Sequence, residues 1–498
     1  MLRYIDILTW KFWVSVQVLG CIGMSLGLAQ SEGTASISSR YPFIREEINY
    51  LDNALNGLDH FYEQLAKLER GERRTVSIVH IGDSHLQADI FSGTLREELH
   101  KRFGAAGRGL VFPYKVARTT SPSDIRSSSN ISWEAKRNIY TKRPLPIGVS
   151  GITLRTKEQN FVLKLSIAPN SVGLDYRFNK LTLFTDKGIS NYDILLSAKA
   201  SAFAESIEKK EYFYHRIVSG ESLSLIAHKY QVRLSAIRSL NKIKGDLIYA
   251  GQQLKIPTSN YPRLSSKGGF KDLASIDCSD TLKSSFCSTV YLDAPMESIY
   301  LRGKKNNKAQ NEAIIYGISL ENDTKSGLLY NMIGVNGAQF FHYNVSEYFF
   351  PQLQELAPDL IIISLGTNET VGKYFNEDRF EIQLDKMVKA LKKHLPNSDI
   401  LLTTPPDAYR YRKYKNPHPG KAAEILAQYA DRKSLSCWNF YDVMGGFSSI
   451  NTWYLHGLAQ SDRLHLTRRG YKLQGRLMYE AIMRAYGRYL ATNPTTNY

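Results

Sequence analysis

Strand, tight turn and helix follow one another between Thr75 and Phe103, and the same alternation returns only beyond residue 331. Thr75 to Ile81 is a β-rich run apolar enough to be buried on both faces, and Gly82 stops it. Leu86, Ile90, Leu95, Leu99 and Phe103 then give the next segment a helical face. Downstream, Tyr330 to Val335, Leu360 to Leu365, Ile400 to Thr403 and Trp438 to Val443 read as strands. Phe380, Ile382, Leu384, Met387 and Leu391 mark a helix between them, with others over Ala422 to Tyr429 and Tyr471 to Tyr489. Alternating strands and helices build a mostly parallel sheet covered on both faces, which binds ligands beyond the carboxyl ends of its strands. Residues 43 to 70 carry Ile44, Ile48, Leu51, Leu55, Leu58, Phe61, Leu65 and Leu68 at helical spacing and predict an amphipathic packing helix.

Between roughly 121 and 330 the alternation stops. Phe161 to Leu165, Leu181 to Phe184, Ile194 to Leu196, Val290 to Leu292 and Ile314 to Tyr316 are short β-rich runs between turn residues, which predicts an antiparallel β-sandwich inserted into the α/β domain. The parallel-sheet domain would then comprise 30–120 and 331–490. At 498 residues, 43% of them hydrophobic, the chain has material for several cores and is not a disordered chain.

The insertion is itself interrupted, over 213–258. Tyr214 to Ile217, Gly220-Glu221-Ser222-Leu223, Leu225-Ile226-Ala227, Asn241 and Gly251-Gln252-Gln253-Leu254-Lys255-Ile256-Pro257 read as strand, turn, helix, second helix end and closing strand. Ser222 suits a helix cap, with Leu225 and Ile226 facing inward, and Pro257 suits the end of an edge strand. This run resembles a LysM domain nearly end to end. The resemblance implies a small βααβ module that binds N-acetylglucosamine-containing glycan, chiefly peptidoglycan or chitin. Its groove would lie between Gly220, Glu221, Ser222 and Leu223 on one side and Leu247, Ile248 and Tyr249 on the other.

Arg3 and Lys11 precede an apolar stretch from Phe12 to Leu28 that ends in Gly27-Leu28-Ala29, the pattern of a signal peptide over 1–29 with cleavage after Ala29. An uncleaved anchor and lipidation of Cys21 remain as alternatives. No later segment has the length of about 20 apolar residues that spanning a bilayer needs, so no stable membrane span is expected after cleavage. The formal charge of +17 becomes +16 once Arg3, Lys11 and Asp6 leave, which favours anionic surroundings. In an exported chain, periplasmic or wall-associated, nucleic acid is not the expected partner. In that compartment Cys278 and Cys287 could close a disulfide, with Cys437 left over. No cysteine or histidine spacing fits a metal site, and no cofactor is expected.

Gly82-Asp83-Ser84-His85 joins the first buried strand to its helix, which sets the Ser84 hydroxyl at the carboxyl end of the sheet. A serine there needs a base, and Asp462-Arg463-Leu464-His465 supplies an imidazole with a carboxylate three residues before it. Between them, Gly334-Val335-Asn336-Gly337 and Gly366-Thr367-Asn368-Glu369 are donor-bearing turns after two further strands. Four such blocks in this order resemble the SGNH, or GDSL, hydrolase superfamily over about 70–115 and 330–490, with His85 in place of the usual Leu. The branch it looks most like contains bacterial peptidoglycan O-acetylesterases, some with a carbohydrate-binding β-domain between the first two blocks. The resemblance implies a flavodoxin-like doubly wound sheet, Ser84, Asp462 and His465 as catalytic triad, and an oxyanion hole from the Ser84 and Gly337 N–H groups and the Asn368 amide.

The expected activity is removal of O-acetyl groups from peptidoglycan, with the LysM module as anchor. An O-acetyltransferase using the same serine and a non-catalytic wall-binding scaffold are the alternatives. Among neighbouring residues, His80 is expected as a satisfied core histidine, His85 and His456 as pocket liners, and Asp83 as the organiser of the turn below Ser84. Glu369 reads as a solvated loop residue or a substrate contact. Tyr409, Tyr411 and Tyr414, alternating with Arg410, Arg412, Lys413 and Lys415, form a basic, aromatic surface run.

Overall fold

The computed structural model describes residues 37–52, 57–142, 145–169, 173–186, 188–197, 212–230, 232, 234–243, 245–257, 271–272 and 287–493. Two compact units divide the chain, 1–48 and 49–498. The first contains a short helix, Ile37–Arg40, and a single 3-10 turn, Glu46–Ile48. The second contains a mixed sheet, two antiparallel sheets and a small two-stranded module. The expected leader over 1–29 lies outside the described residues, as does Cys278 of the expected disulfide. Among the described residues no helix is long and apolar enough to cross a membrane.

The mixed sheet runs in the order β1 (Leu51–Asp52), β19 (Ser436–Trp438), β18 (Asp399–Thr403), β17 (Leu360–Ser364), β2 (Thr75–Gly82) and β16 (Gly327–Gly334). All pairings are parallel except that of β1, which lies antiparallel on β19. In chain order the five parallel strands are arranged 2-1-3-4-5, the flavodoxin-like order, whose direction of winding reverses between β2 and β17. Ser84 follows directly after β2 and therefore stands at that reversal. The register explains why these runs are so apolar. Val79 and Ile81 of β2 align with Ile361 and Ile363 of β17 and with Asn331 and Ile333 of β16, and all six are almost wholly buried. A side chain buried in this way contributes about 1.5–3 kcal/mol when it is a full-sized hydrophobe.

Helices cover the sheet where the apolar spacing expects them: Phe91–Phe103, Glu377–His394, His418–Arg432 and Arg468–Thr492. The first and last pack so closely that a Cβ on Gly475 would lie 2.8 Å from the Phe91 carbonyl oxygen. Two expectations fail locally. The run from Trp438 to Val443 is a strand only as far as Trp438, because the Asn439 side chain accepts from Asp442 N and caps a short helix, Phe440–Val443. The helix expected over 43–70 is confined to Asp59–Glu69, since Leu51 pairs with Trp438 at the sheet edge.

The insertion forms two antiparallel sheets, as a sandwich requires. One runs β12 (Lys271–Asp272), β9 (Asp193–Ser197), β14 (Ser298–Lys304), β7 (Val162–Ile167), β4 (Ile125–Ser129). The other runs β13 (Cys287–Met296), β8 (Phe178–Thr185), β15 (Ala313–Glu321), β6 (Ile152–Thr156), β5 (Glu134–Arg137), and β3 (Gly107–Val111) also joins β15. β15 leads through one loop into β16, so the insertion is continuous with the strand beside β2.

The LysM-like segment forms its own small core. β10 (Tyr212–Arg216) pairs antiparallel with β11 (Gln253–Pro257), and helices Leu223–Lys229 and Leu234–Asn241 lie between them in sequence. Ile217, Leu223, Ile226, Ala227, Ile237, Leu254 and Ile256 make the interior. Leu225, expected inside, is exposed instead, because the helical face that holds Leu223, Ile226 and Ala227 turns it outward. Ser222 Oγ accepts from Leu225 N at 3.3 Å, the expected cap. Asn241 fastens the closing strand: its Nδ2 donates to the carbonyls of Ile237 and Lys255, and its Oδ1 accepts from Lys255 N at 2.7 Å.

Candidate active site

The end of β2 sets the serine. A Cβ on Gly82 would come within 2.8 Å of the Ser364 carbonyl, so only glycine lets β2 and β17 close up at this point. Asp83 then caps the one-turn helix Ser84–Gln87, its Oδ1 accepting from His85 N at 2.9 Å. That contact turns the Ser84 side chain upward, partly exposed, at the sheet edge. Asp83 thus orders the turn, as expected, and it also holds the amide of Asn368.

The imidazole arrives from the far end of the chain. Ser84 Oγ lies 3.1 Å from His465 Nε2, and His465 Nδ1 lies 2.8 Å from Asp462 Oδ2. Asp462 Oδ1 also accepts from the backbone N–H groups of Leu464 and His465, each at 3.0 Å, so the carboxylate holds the loop and the ring together. Burial pushes the Asp462 pKa up, but the hydrogen bonds from the His465 ring and from the two backbone N–H groups outweigh it and leave the carboxyl below its ordinary value. A carboxylate on Nδ1–H leaves Nε2 free to accept the serine proton. The loop is steadied by Thr467, which caps Arg468–Thr492 through Gly470 N, and by Arg463, which takes a left-handed backbone and donates to Asn451 Oδ1.

The two intermediate turns meet at the same edge. Gly337 has a positive φ of +84° and is exposed, and neither its N–H nor that of Ser84 meets a protein acceptor among the described residues. Asn368 is partly buried, but both hydrogens of its amide are engaged, with Asp83 Oδ2 at 3.0 Å and the Ala338 carbonyl at 2.9 Å. The two turns are further stitched by Gln339 Nε2 to the Asn368 carbonyl and by Phe340 N to Glu369 Oε1, both 2.9 Å. Glu369, partly buried, is thus tied through Oε1 to the backbone of the neighbouring turn; its Oε2 is buried without a partner, and burial raises its pKa to about 8. Burial also raises Asp83 to about 7, against the opposing hydrogen bond from His85 N and the nearby His465.

His85 lies beside the serine and the imidazole. Its ring centroid is 5.4 Å from that of His465, its Nδ1 is 2.9 Å from Tyr471 Oη, and its Nε2 is buried without a partner. Desolvation holds its pKa down to about 3, so a neutral ring adjoins that of His465. His80 is the core histidine expected, between Tyr330 Oη and Ser364 Oγ and likewise held neutral by burial. His456 is exposed and caps a carbonyl of its own helix, that of Thr452, at 2.8 Å. The Asp83–Asn368 bond and the His85–Tyr471 pair were not legible in sequence, since each joins positions hundreds of residues apart through side chains with several common uses. Among the described residues no group of His, Cys, Asp and Glu could hold a metal ion.

In the LysM-like module, Gly220, Ser222, Leu247 and Tyr249 are exposed along the expected groove and Ile248 is partly buried against the core. Leu223 is in the core, so only its backbone can face a ligand. Glu221 supports the turn from within: Oε2 accepts from Val218 N at 2.9 Å and lies 2.8 Å from His215 Nε2, while Lys229 donates to Oε1 at 3.0 Å.

A serine, imidazole and carboxylate chain at the reversal point of a 2-1-3-4-5 sheet defines a hydrolase of the SGNH fold. Residues 319–473 match the GDSL-like Lipase/Acylhydrolase family and residues 215–257 match the LysM domain, so the chain carries one domain of each kind. The fold is similar to that of a solved peptidoglycan O-acetylesterase, with a TM-score of 0.60 at 17% identity over 88% of this chain and 99% of that one. A putative acylhydrolase of Bacteroides fragilis NCTC 9343 overlaps only in part, at 25% identity and a TM-score of 0.26 over 32% of this chain and 76% of that one. N-acetylmuramoyl-L-alanine amidase sle1 of Staphylococcus haemolyticus (strain JCSC1435) is 37% identical over 71 residues, 14% of this chain; the match spans only 22% of that protein's length.

Proposed function

We propose that this protein is an exported serine esterase that removes O-acetyl groups from peptidoglycan, held on its polymer by the LysM domain. The observation that carries the reading is the unbroken hydrogen-bonded chain from Ser84 Oγ through His465 to Asp462, built from residues 381 positions apart. In the first half-reaction His465 Nε2 takes the serine proton as Oγ bonds to the acetyl carbonyl carbon. The carbonyl oxygen becomes an oxyanion beside the open N–H groups of Ser84 and Gly337, and one such donor is typically worth about 10²- to 10³-fold in rate. His465 then returns the proton to the sugar oxygen as the ester C–O bond breaks, which leaves an acetyl-serine. Water, deprotonated by His465, attacks that ester; the bond between Ser84 Oγ and the acetyl carbon breaks, His465 returns the proton to Oγ, and acetate leaves.

Asn368 can serve the oxyanion only by sharing or redirecting one of its two engaged N–H groups. Its bond to Asp83 is the one that can yield, because a carboxyl that protonates near neutrality binds an amide donor less strongly than a carboxylate does. Tethering by the LysM module would raise the local concentration of ester near Ser84 without adding a catalytic contact.

The test is acetate release from O-acetylated peptidoglycan by the full chain. Release by the parent protein and its loss in Ser84→Ala support the reading. Undiminished release by Ser84→Ala rejects the nucleophile, and acetylated oligosaccharide in place of free acetate would make the enzyme a transferase.

A further inference from the structure

Beyond β18 the chain does not cross straight to the next helix. It forms a loop over residues 404–416 that lies between the turn of Asn368 and the turn of His465 and is fastened to both. On one side Tyr409 N donates to the Arg463 carbonyl at 2.8 Å, within the Asp462-to-His465 loop. On the other, Asn416 Nδ2 donates to the Thr370 carbonyl at 3.0 Å, at the end of the short helix that carries Asn368. In its middle Arg410 donates to the Lys373 carbonyl at 3.2 Å, which brings the segment after that helix alongside. The run of tyrosines and basic residues is thus a fixed wall beside the candidate active site.

Its tip is unusual. Arg410 and Tyr414 bond to each other through both backbone groups, and the turn between them places Tyr411 at φ +48° and Arg412 at φ +62°. Two successive left-handed positions are those that Asn-Gly fills without strain. Here they carry two of the largest side chains, and 68% of Tyr411 is exposed. Packing within the protein does not account for the choice. Tyr414 and Tyr374 are also exposed, and Lys413 and Lys373 lie 5.6 Å and 5.1 Å from their ring centroids. No acidic residue occurs in 371–376 or 408–416, and among the described residues Lys373, Arg412 and Lys413 form no ion pair.

We infer that this wall is a subsite for a carboxylate-bearing N-acetylated glycan strand: Tyr374, Tyr411 and Tyr414 cover the apolar faces of sugar rings, and Lys373, Arg412 and Lys413 meet the acidic groups carried along the strand. Exposed rings supply flat apolar area with little conformational entropy to lose, and unpaired guanidinium and ammonium groups bind carboxylates by charge-assisted hydrogen bonds. The inference rests on the esterase reading and adds to it: the wall selects polymer over small esters, independently of the LysM groove.

The test exploits the strained turn. Tyr411→Asn with Arg412→Gly removes a ring and a cation while giving the backbone the residues it favours, so folding is preserved. Initial rates are measured on O-acetylated peptidoglycan and on a small acetyl ester. The expected result is a kcat/KM lowered about ten-fold more on the polymer than on the small ester, carried by KM, with a melting temperature at or above that of the parent. Equal effects on both substrates, or none on the polymer, overturn the subsite. Should the parent cleave neither substrate, the esterase reading fails by itself, and the subsite is read by co-sedimentation of Ser84→Ala with the polymer. Weaker, less salt-sensitive binding in the turn variant supports it. Identical binding overturns it, as does displacement by single-stranded DNA as effective as by soluble peptidoglycan fragments.

Discussion

Replacing Asp462 by asparagine preserves shape and removes one charge, and the surrounding hydrogen bonds dictate how the new side chain sits. Oδ1 accepts from two backbone N–H groups, Leu464 and His465, so the amide oxygen of the asparagine must take that position. Its NH₂ then faces His465 Nδ1, which becomes an acceptor, and the ring proton moves to Nε2, the atom that must receive the proton of Ser84. The base is lost by tautomer. Loss of charge adds to this, because a carboxylate about 4 Å from a developing imidazolium stabilises it by about 4 kcal/mol at an effective dielectric near 20. That alone corresponds to about 10³-fold, and the tautomer effect brings the expected loss in kcat to about 10⁴-fold. The assay is kcat and KM on a small acetyl ester, with thermal melting to show that the fold is kept. Asp462→Ala leaves the ring free to choose its tautomer and should retain more activity than Asp462→Asn. A folded Asp462→Asn protein that loses less than about ten-fold would refute the assignment of Asp462 as the group that orients His465.

Asn368→Ala should lower kcat by about 10²-fold while changing KM little, and should also lower the melting temperature, because Asp83 Oδ2 and the Ala338 carbonyl each lose a donor; parallel loss of kcat and KM on a small ester would contradict an oxyanion role. His80 and His85 are both held neutral to about pH 3 by burial, whereas in the unfolded chain they protonate near pH 6.5. The unfolded state therefore binds more protons below that value, and stability should fall as pH drops from about 6.5 toward 3; His85→Leu should make thermal melts less sensitive to acid over that window, and an unchanged slope would count against the neutral ring. Asn241→Ala leaves the Lys255 N–H without its acceptor and frees the closing strand of the LysM domain. A loss of about 1–3 kcal/mol in that module should weaken glycan pull-down, and undiminished binding would show that the strand does not depend on Asn241.

Legibility in the sequence followed the range of the interactions. The central strands and the helices Glu377–His394 and Arg468–Thr492 could be recognised because their burial repeats with the period of the element itself. Phe440–Val443 could not, since its aromatic, β-branched pattern suits a strand and one capping bond from Asn439 decides for helix. Leu225 is misplaced by sequence pattern for a similar reason: adjacent apolar residues compete for one inward position, and only the module's core settles which of them takes it. Glu369 resembles a loop residue because nothing local reveals that Phe340 N descends onto it from another strand's turn.

Local order in the chain was enough to determine that a hydroxyl, two donor turns and an imidazole with its carboxylate would each follow a strand or precede a helix, because turn chemistry and amphipathic period act over a few residues. The meeting of Ser84 with His465, the engagement of both Asn368 hydrogens by Asp83 and Ala338, and the seating of the Tyr411 turn between the two loops of the site were decided only by the tertiary structure. Each depends on which strand ends lie side by side in a twisted sheet, and that order is set by the packing of the whole core.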